Sequence, residues 1–308
     1  MRILMVLAFL AISFLALGQD RIVQSSYFTA DNAYQHSVRQ YMGYEKNMAI
    51  KSRDTSKPPM MISVTPSAGW RCYFFEGAAT RYADARITAS YRRGRRFSSG
   101  ISASQLYSKE WSPLFFDGYA RYSFGRASME GYFERESVGT PITNMLRYSM
   151  ESVGASVDFR ITRKQSFVAG MTRIGISDGN VRWAQTARYI YLFSRNSYAD
   201  FRTKRIFGSE WSPYYFSPNS IVQANLGYGF YSDLKNDGSA RIYVGAGIQE
   251  IEGYVMSMFS IDAKASFKLA KGWSCDAIVS TRNFNDYLYH TLTIKLGYDL
   301  KKKAIPNR

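Results

Sequence analysis

The chain has 308 residues, with 40 Lys and Arg against 24 Asp and Glu and a formal charge of +16. Aromatics make up 16%, with 24 Tyr and 20 Phe, far above a typical enzyme, while Pro is scarce at 8; this suits many strands flanked by aromatic girdles. Past the N-terminus no run approaches the ~18 consecutive apolar residues of a membrane-crossing helix, which excludes a helical membrane protein.

In chain order, Met1 and Arg2 give a positive start, Ile3 to Leu17 is almost unbroken apolar sequence, and Ala16-Leu17-Gly18 supplies small residues before Gln19 and Asp20. That is the layout of a removable secretory signal over 1–18. No Cys follows the cut, which argues against a lipid-anchored lipoprotein. An exported chain rarely meets nucleic acid, so the basic balance points to outer-membrane lipid and lipopolysaccharide phosphates, or to a basic lumen passing a polar or anionic polymer.

Residues 19–60 read as a short periplasmic segment that can contribute two strands. One pair comes from 33–45, where His36, Val38, Gln40, Met42 and Tyr44 alternate impurely, and from 58–65, with Lys51 to Pro59 as a turn or linker. From 61 to 300 the pattern is a barrel. Period-two alternation defines strands near 68–76, 82–92, 96–107, 115–124, 127–136, 151–161, 166–176, 181–193, 198–208, 219–231, 241–250, 258–269, 272–283 and 288–300. In 221–231, Val222, Ala224, Leu226, Tyr228 and Phe230 oppose Gln223, Asn225, Gly227, Gly229 and Tyr231. Segments of about ten residues exceed the usual 5–6 of soluble strands. The expectation is an all-β, antiparallel, up-and-down transmembrane barrel of about 14–16 strands. An even count puts both ends of the barrel chain on the periplasmic side, where Phe124-Gly125-Arg126, Arg163-Lys164-Gln165 and Ala270-Lys271-Gly272 make tight turns. Residues 301–308 form a basic periplasmic tail.

By the same alternation, Arg86, Arg92, Arg160, Arg241, Lys264, Lys268, Arg282 and Lys295 share the face opposite the apolar one and are the candidate lumen lining. Eight such charges on the lipid face, at about 2–4 kcal/mol each near mid-bilayer, would exceed the ~5–15 kcal/mol stability of a fold. Glu110-Trp111-Ser112-Pro113 recurs 100 residues later as Glu210-Trp211-Ser212-Pro213. Trp111, Phe115 and Phe116 in the first copy, and Trp211, Tyr214, Tyr215 and Phe216 in the second, are candidates either for stacking on sugar rings at a pore mouth or for anchoring at the membrane interface. Cys72 and Cys275 fall on the lipid side of strands that are not neighbours, so a disulfide is not expected.

Catalytic constellations are thin. There are two histidines, His36 and His290, and no Gly-x-Ser-x-Gly elbow. Glu134 and Glu136 alternate outward of Arg135, which reads as a strand rim rather than an acid/base pair. Asp178-Gly179-Asn180 carries too little charge for calcium and reads as a hairpin turn. No Walker loop, Rossmann fingerprint or Cys/His zinc spacing occurs, so neither cofactor nor metal is expected. An outer-membrane enzyme acting on lipid or peptide would have to use His290 near Asp286.

Ile176-Ser177-Asp178-Gly179-Asn180 ahead of an alternating strand resembles the "YSDGN" hairpin of one barrel family, and Tyr214-Tyr215-Phe216-Ser217-Pro218-Asn219 resembles its "YYSP(Q/N)" motif. Gly245-Ala246-Gly247-Ile248-Gln249 and the closing strand from Tyr289-His290 to Leu300 follow in the same order. The family is the C-terminal outer-membrane barrel of bacterial exopolysaccharide-export proteins, of the cellulose and poly-N-acetylglucosamine secretion type; the smaller YaiO-like barrels are also similar. The resemblance covers most of 150–300. It implies a roughly 16-stranded, non-enzymatic export channel for a polysaccharide. Family members carry a periplasmic array of tetratricopeptide repeats, and no 34-residue helical repeat occurs here, so a separate periplasmic scaffold protein is an implied partner. A structural or adhesive barrel with a plugged lumen is the remaining alternative.

Overall fold

The computed structural model describes residues 19–31, 36–50, 60–75, 78–109, 111–138, 141–234, 238–270, 272–284 and 287–300. The signal segment 1–18 and the basic tail 301–308 lie outside them. Sixteen strands follow one another: β1 Gln19–Asp31, β2 His36–Ile50, β3 Met60–Phe75, β4 Ala78–Arg93, β5 Phe97–Tyr107, β6 Leu114–Phe124, β7 Ala127–Ser137, β8 Ser149–Arg160, β9 Gln165–Ile176, β10 Val181–Leu192, β11 Ser197–Phe207, β12 Ser220–Leu234, β13 Gly238–Ile251, β14 Tyr254–Ala270, β15 Trp273–Phe284 and β16 Tyr287–Leu300. A short helix, α1, covers Pro141–Met145. Each strand pairs antiparallel with its sequence neighbours, and β1 closes on β16, so the fold is a closed up-and-down barrel. The shortest strands have 11 residues, the length a tilted strand needs to cross a hydrocarbon core.

Side-chain alternation separates two environments. The outward face carries Ile101, Val153, Leu226, Val244 and Ile248, with Leu226 64% and Ile248 57% exposed. Apolar side chains left open over a whole wall suit lipid contact and are costly in water. Several outward charges sit at one rim: Arg135, Glu151, Arg173, Arg205 and Glu250 each lie within three residues of a strand end. These ends are opposite the one that holds Gln19 and Leu300; the two are called here the far end and the terminal end. The inward face is identified by contacts that jump strands. Arg39 on β2 and Arg71 on β3 both reach Glu136 on β7, which is possible only through the lumen.

Two departures from the sequence expectation concern the N-terminal third. The segments expected at 58–65 and 68–76 are one strand, β3, with Pro66 inside it. Proline lacks an N–H and breaks a ladder on one side. Here Pro66 aligns with Ile87 on β4, and the β2–β3 ladder skips from Gly43↔Ser67 to Lys46↔Val64; the missing donor falls in that gap. The two added strands are therefore β1 and β2, from within 19–60, rather than 33–45 with 58–65. β1 was obscure because its outward side holds Gln24 and Ser26 between Ile22 and Phe28. Pairing to both β2 and β16 holds it in place.

Among the described residues, turns at the terminal end are short. Gly125 takes φ +56 between β6 and β7, a left-handed conformation that glycine adopts without a Cβ clash. At the far end, Glu252 and Gly253 both have positive φ, +52 and +89, the signature of a type I′ hairpin.

Candidate functional site: the lumen and its two mouths

The lumen wall is built from the polar half of each strand's alternation. Two buried carboxylates organise it. Asp84 on β4, with a side chain 0% exposed, accepts hydrogen bonds from Tyr41 Oη at 2.7 Å and Ser104 Oγ at 2.6 Å and pairs with Arg71. Arg71 also donates to Glu136 at 2.7 Å. Asp200 on β11, likewise 0% exposed, is held by Arg188 and by Arg202, the latter at 2.9 Å, with Tyr243 Oη at 2.9 Å. Arg202 stacks 4.0 Å from the Tyr243 ring centroid. Burying these charges is tolerable because each carboxylate is matched by guanidinium and phenol donors.

The tyrosine rings lie flat against the wall because glycines face them. A Cβ at Gly227 would sit 2.0 Å from Tyr243 Oη, and one at Gly229 would sit 2.1 Å from the Tyr198 ring. Glycine at these positions keeps bulk out of the channel axis.

Each sequence-identified lumen candidate lies on the inward face by register. Arg86 donates to Ser102 and Asp117 at 2.8 Å. Arg282 pairs with Asp262 at 3.4 Å. Arg241 stands opposite Lys264, Lys268 opposite Ser274, and Lys295 opposite Asp276 and Ser25. Arg92 turns to the Gly94 carbonyl near the terminal end. Arg160 lines a cavity at that same end. Sequence reasoning left out Arg39, Arg71, Arg188, Arg202, Asp84, Asp200 and Glu136. Arg71 had a signal, since it alternates with Trp70 and Cys72. Arg202 had a poor one, because outward Arg205 and Thr203 blur the polarity of β11. Glu136 lies near a strand end but turns into the lumen.

The two Glu-Trp-Ser-Pro copies both lie at the far end, in the β5–β6 and β11–β12 connections, and do different things; Glu110 is outside the described residues. Trp111 packs edge-on against Tyr82 at 6.4 Å and Phe115 at 5.8 Å, over a buried cluster of Tyr73, Tyr82, Leu106 and Phe115. Phe116 points outward onto Phe133. Helix α1 packs against β3 and β4 beside this cluster, burying Thr143 and Asn144. Trp211, by contrast, is 76% exposed, and Phe216 is exposed. Tyr214 and Tyr215 meet Tyr148 edge-on.

The two motifs that carried the family resemblance meet in space. Tyr215 Oη donates to Asp178 Oδ2 at 2.6 Å, and Asn180 Nδ2 donates to the Glu210 carbonyl at 2.7 Å while its Oδ1 accepts from the Glu210 amide at 3.0 Å. The Asp178-Gly179-Asn180 turn is thus a dock for the 208–219 loop. Burial, and then the bond to Asp178, push the Tyr215 phenol above its ordinary value.

The histidines do not assemble a catalytic site. Both project from the outer wall, where Ala30 aligns with His36 on one side and His290 on the other. His290 Nδ1 lies 3.0 Å from Thr281 Oγ1, and Asp286 is outside the described residues. Cys72 and Cys275 are free and buried.

No known protein family and no curated protein matches the sequence. Among solved structures, a "bacterial polysaccharide outer membrane secretin" is similar with TM-score 0.69 and 11% identity, over 93% of this chain and 100% of that one. Pseudomonas aeruginosa OccK5 (OpdH) has TM-score 0.48 and 10% identity over 92% of this chain and 98% of that one. A Rh. blastica porin mutant has TM-score 0.44 and 8% identity over 92% and 100%. At these identities the likeness is one of fold.

Proposed function

We propose that this chain is a non-enzymatic outer-membrane pore that exports a polysaccharide. The observation that carries the reading is a closed barrel whose outer wall is apolar and whose inner wall is lined by arginines, lysines and flattened tyrosines. Guanidinium and hydroxyl groups supply hydrogen bonds that a hydrated glycan exchanges as it moves, and ring faces supply apolar contact to sugar rings. The similarity of fold to a polysaccharide secretin and the two docked motifs support the cargo class. In this reading the outer wall contacts outer-membrane lipid and lipopolysaccharide, and a separate periplasmic scaffold protein delivers the polymer.

The test is reconstitution into planar lipid bilayers. Discrete conductance steps, reduced by linear oligosaccharides on either side, are the expected result. A barrel that inserts and stays electrically silent under all voltages would overturn it.

A further inference from the structure

The terminal end holds a cavity of about 540 Å³ enclosed by the β6–β7 turn, the β8–β9 turn and the inward faces of β8, β10 and β13. Its lining includes Arg126, Arg160, Arg163, Lys164, Arg188 and Arg241. Asp158 is the acidic residue in that lining, and it is already 3.8 Å from Arg121. Arg188 is taken by Asp200. Among the described residues, Arg126, Arg160, Arg163, Lys164 and Arg241 make no ion pair. That contrasts with the rest of the lumen, where Arg71, Arg86, Arg202 and Arg282 each face a carboxylate. Five uncompensated cations around one cavity repel one another and concentrate anions from solution.

We propose that this cavity is the loading site for a linear acidic glycan, one that carries carboxylates along its sugar units. The inference rests on the export reading and narrows its substrate class. Three features favour a carboxylated polymer over a small anion. The cations do not converge on one point, as they do in a phosphate clamp, but are spread over two turns and three strands. They continue inward as a track, since Arg188 aligns with Arg202 across β10 and β11 and Lys204 follows on β11. Successive lumen-facing positions on a strand stand roughly 7 Å apart, a spacing on the scale of one sugar unit. Aromatic surface is interleaved, with Tyr198 flanked by Arg188 and Arg241 at 5.9 and 5.4 Å and Tyr231 at the same mouth.

Polarity across the barrel sets which wall the track follows. Inward carboxylates Asp117, Glu130, Glu134 and Glu136 gather on β6 and β7. Lys264, Lys268 and Arg282, which outnumber Asp262 and Asp276 beside them, lie on β14 and β15, eight strands round the sixteen-strand ring and so on the opposite wall. An acidic chain entering between them is drawn to the β10–β15 side and held off the β6–β7 side.

The experiment uses the full barrel with four probes: hexagalacturonate, cellohexaose, fully deacetylated chitohexaose and tripolyphosphate. Binding to detergent-solubilised protein is read by calorimetry, and channel block is read in bilayers with each probe added to one side at a time. Hexagalacturonate should bind at least tenfold more tightly than cellohexaose, and it should block at lower concentration from one side. The Arg163→Glu/Lys164→Glu variant, with folding confirmed by heat-modifiable migration, should lose that binding and that one-sided block. Equal binding of cellohexaose, preference for chitohexaose, or a variant that binds hexagalacturonate as the wild type does would overturn the proposal. Tripolyphosphate matching hexagalacturonate at equal concentration would overturn the sugar assignment. A silent barrel that still binds hexagalacturonate sinks the pore and keeps the site; a conducting barrel that does not bind it sinks the site and keeps the pore.

Discussion

Arg71 on β3 donates to Glu136 on β7 at 2.7 Å, bridging four strand positions through the lumen rather than along the sheet. Arg39 reaches the same carboxylate from β2. One acid therefore ties about a third of the barrel's circumference together near the far end and narrows the passage there. Glu136→Ala frees both guanidiniums to fold back on their own strands, and single-channel conductance should rise. An unchanged conductance would show that the clamp lies off the conducting path.

Asp84 is the other partner of Arg71, and both side chains are almost wholly buried. Asp84→Asn leaves Arg71 with one carboxylate in place of two and strips a charge-assisted acceptor from Tyr41 and Ser104. The expected loss is about 3–5 kcal/mol, the cost of breaking a buried pair from one side. Urea unfolding from lipid vesicles measures it, and a loss under ~1 kcal/mol would mean water already solvates the site.

Arg241 and Lys264 face each other across β13 and β14 on the lumen wall. If that wall conducts, the wild type should favour anions, and the preference should fade as salt shortens the screening length below about 10 Å. Arg241→Glu with Lys264→Glu should move the reversal potential toward cations. A cation-selective wild type, or no response to the double change, contradicts the assignment.

The repeated tryptophans separate packing from exposure. Trp111 sits on Tyr82 and Phe115, whereas Trp211 stands in the open. Trp111→Ala should cost roughly 1–3 kcal/mol, and Trp211→Ala less than ~0.5 kcal/mol. Equal effects in chemical unfolding would contradict the difference between the two loops.

Docking of the 208–219 loop should depend on alkaline pH. The Tyr215 phenol is pushed up by burial and by its bond to Asp178, so the docked loop keeps a proton that an undocked loop releases first. Docking is at full strength below about pH 10 and weakens as pH rises through the raised value. Trp211 emission should report that step, and Tyr215→Phe should abolish it.

The sequence by itself determined which environment each side chain of a strand enters. Strict alternation in 221–231 or 241–250 leaves a single way to satisfy the pattern, with one face in lipid and one in a polar interior, because a one-residue slip would exchange the two faces. The same logic separated Arg241 and Lys264 from Ile242 and Ala263. Local sequence could not place β1, whose outward Gln24 and Ser26 break the pattern, nor join 60–75 across Pro66. Only closure of the ring decides both, since β1 gains its partners from strands at the two ends of the chain. Tertiary structure also decided which charges neutralise one another. Arg71 and Glu136 are 65 residues apart in sequence, and Arg163 and Arg241 come from separate turns and strands. Alternation says only that such groups point inward; the curvature of the closed sheet sets which of them come within Coulomb range. Two copies of one tetrapeptide likewise became a half-buried ring and an exposed one, because α1 lies over the wall beside the first and a loop docked on Asp178 carries the second.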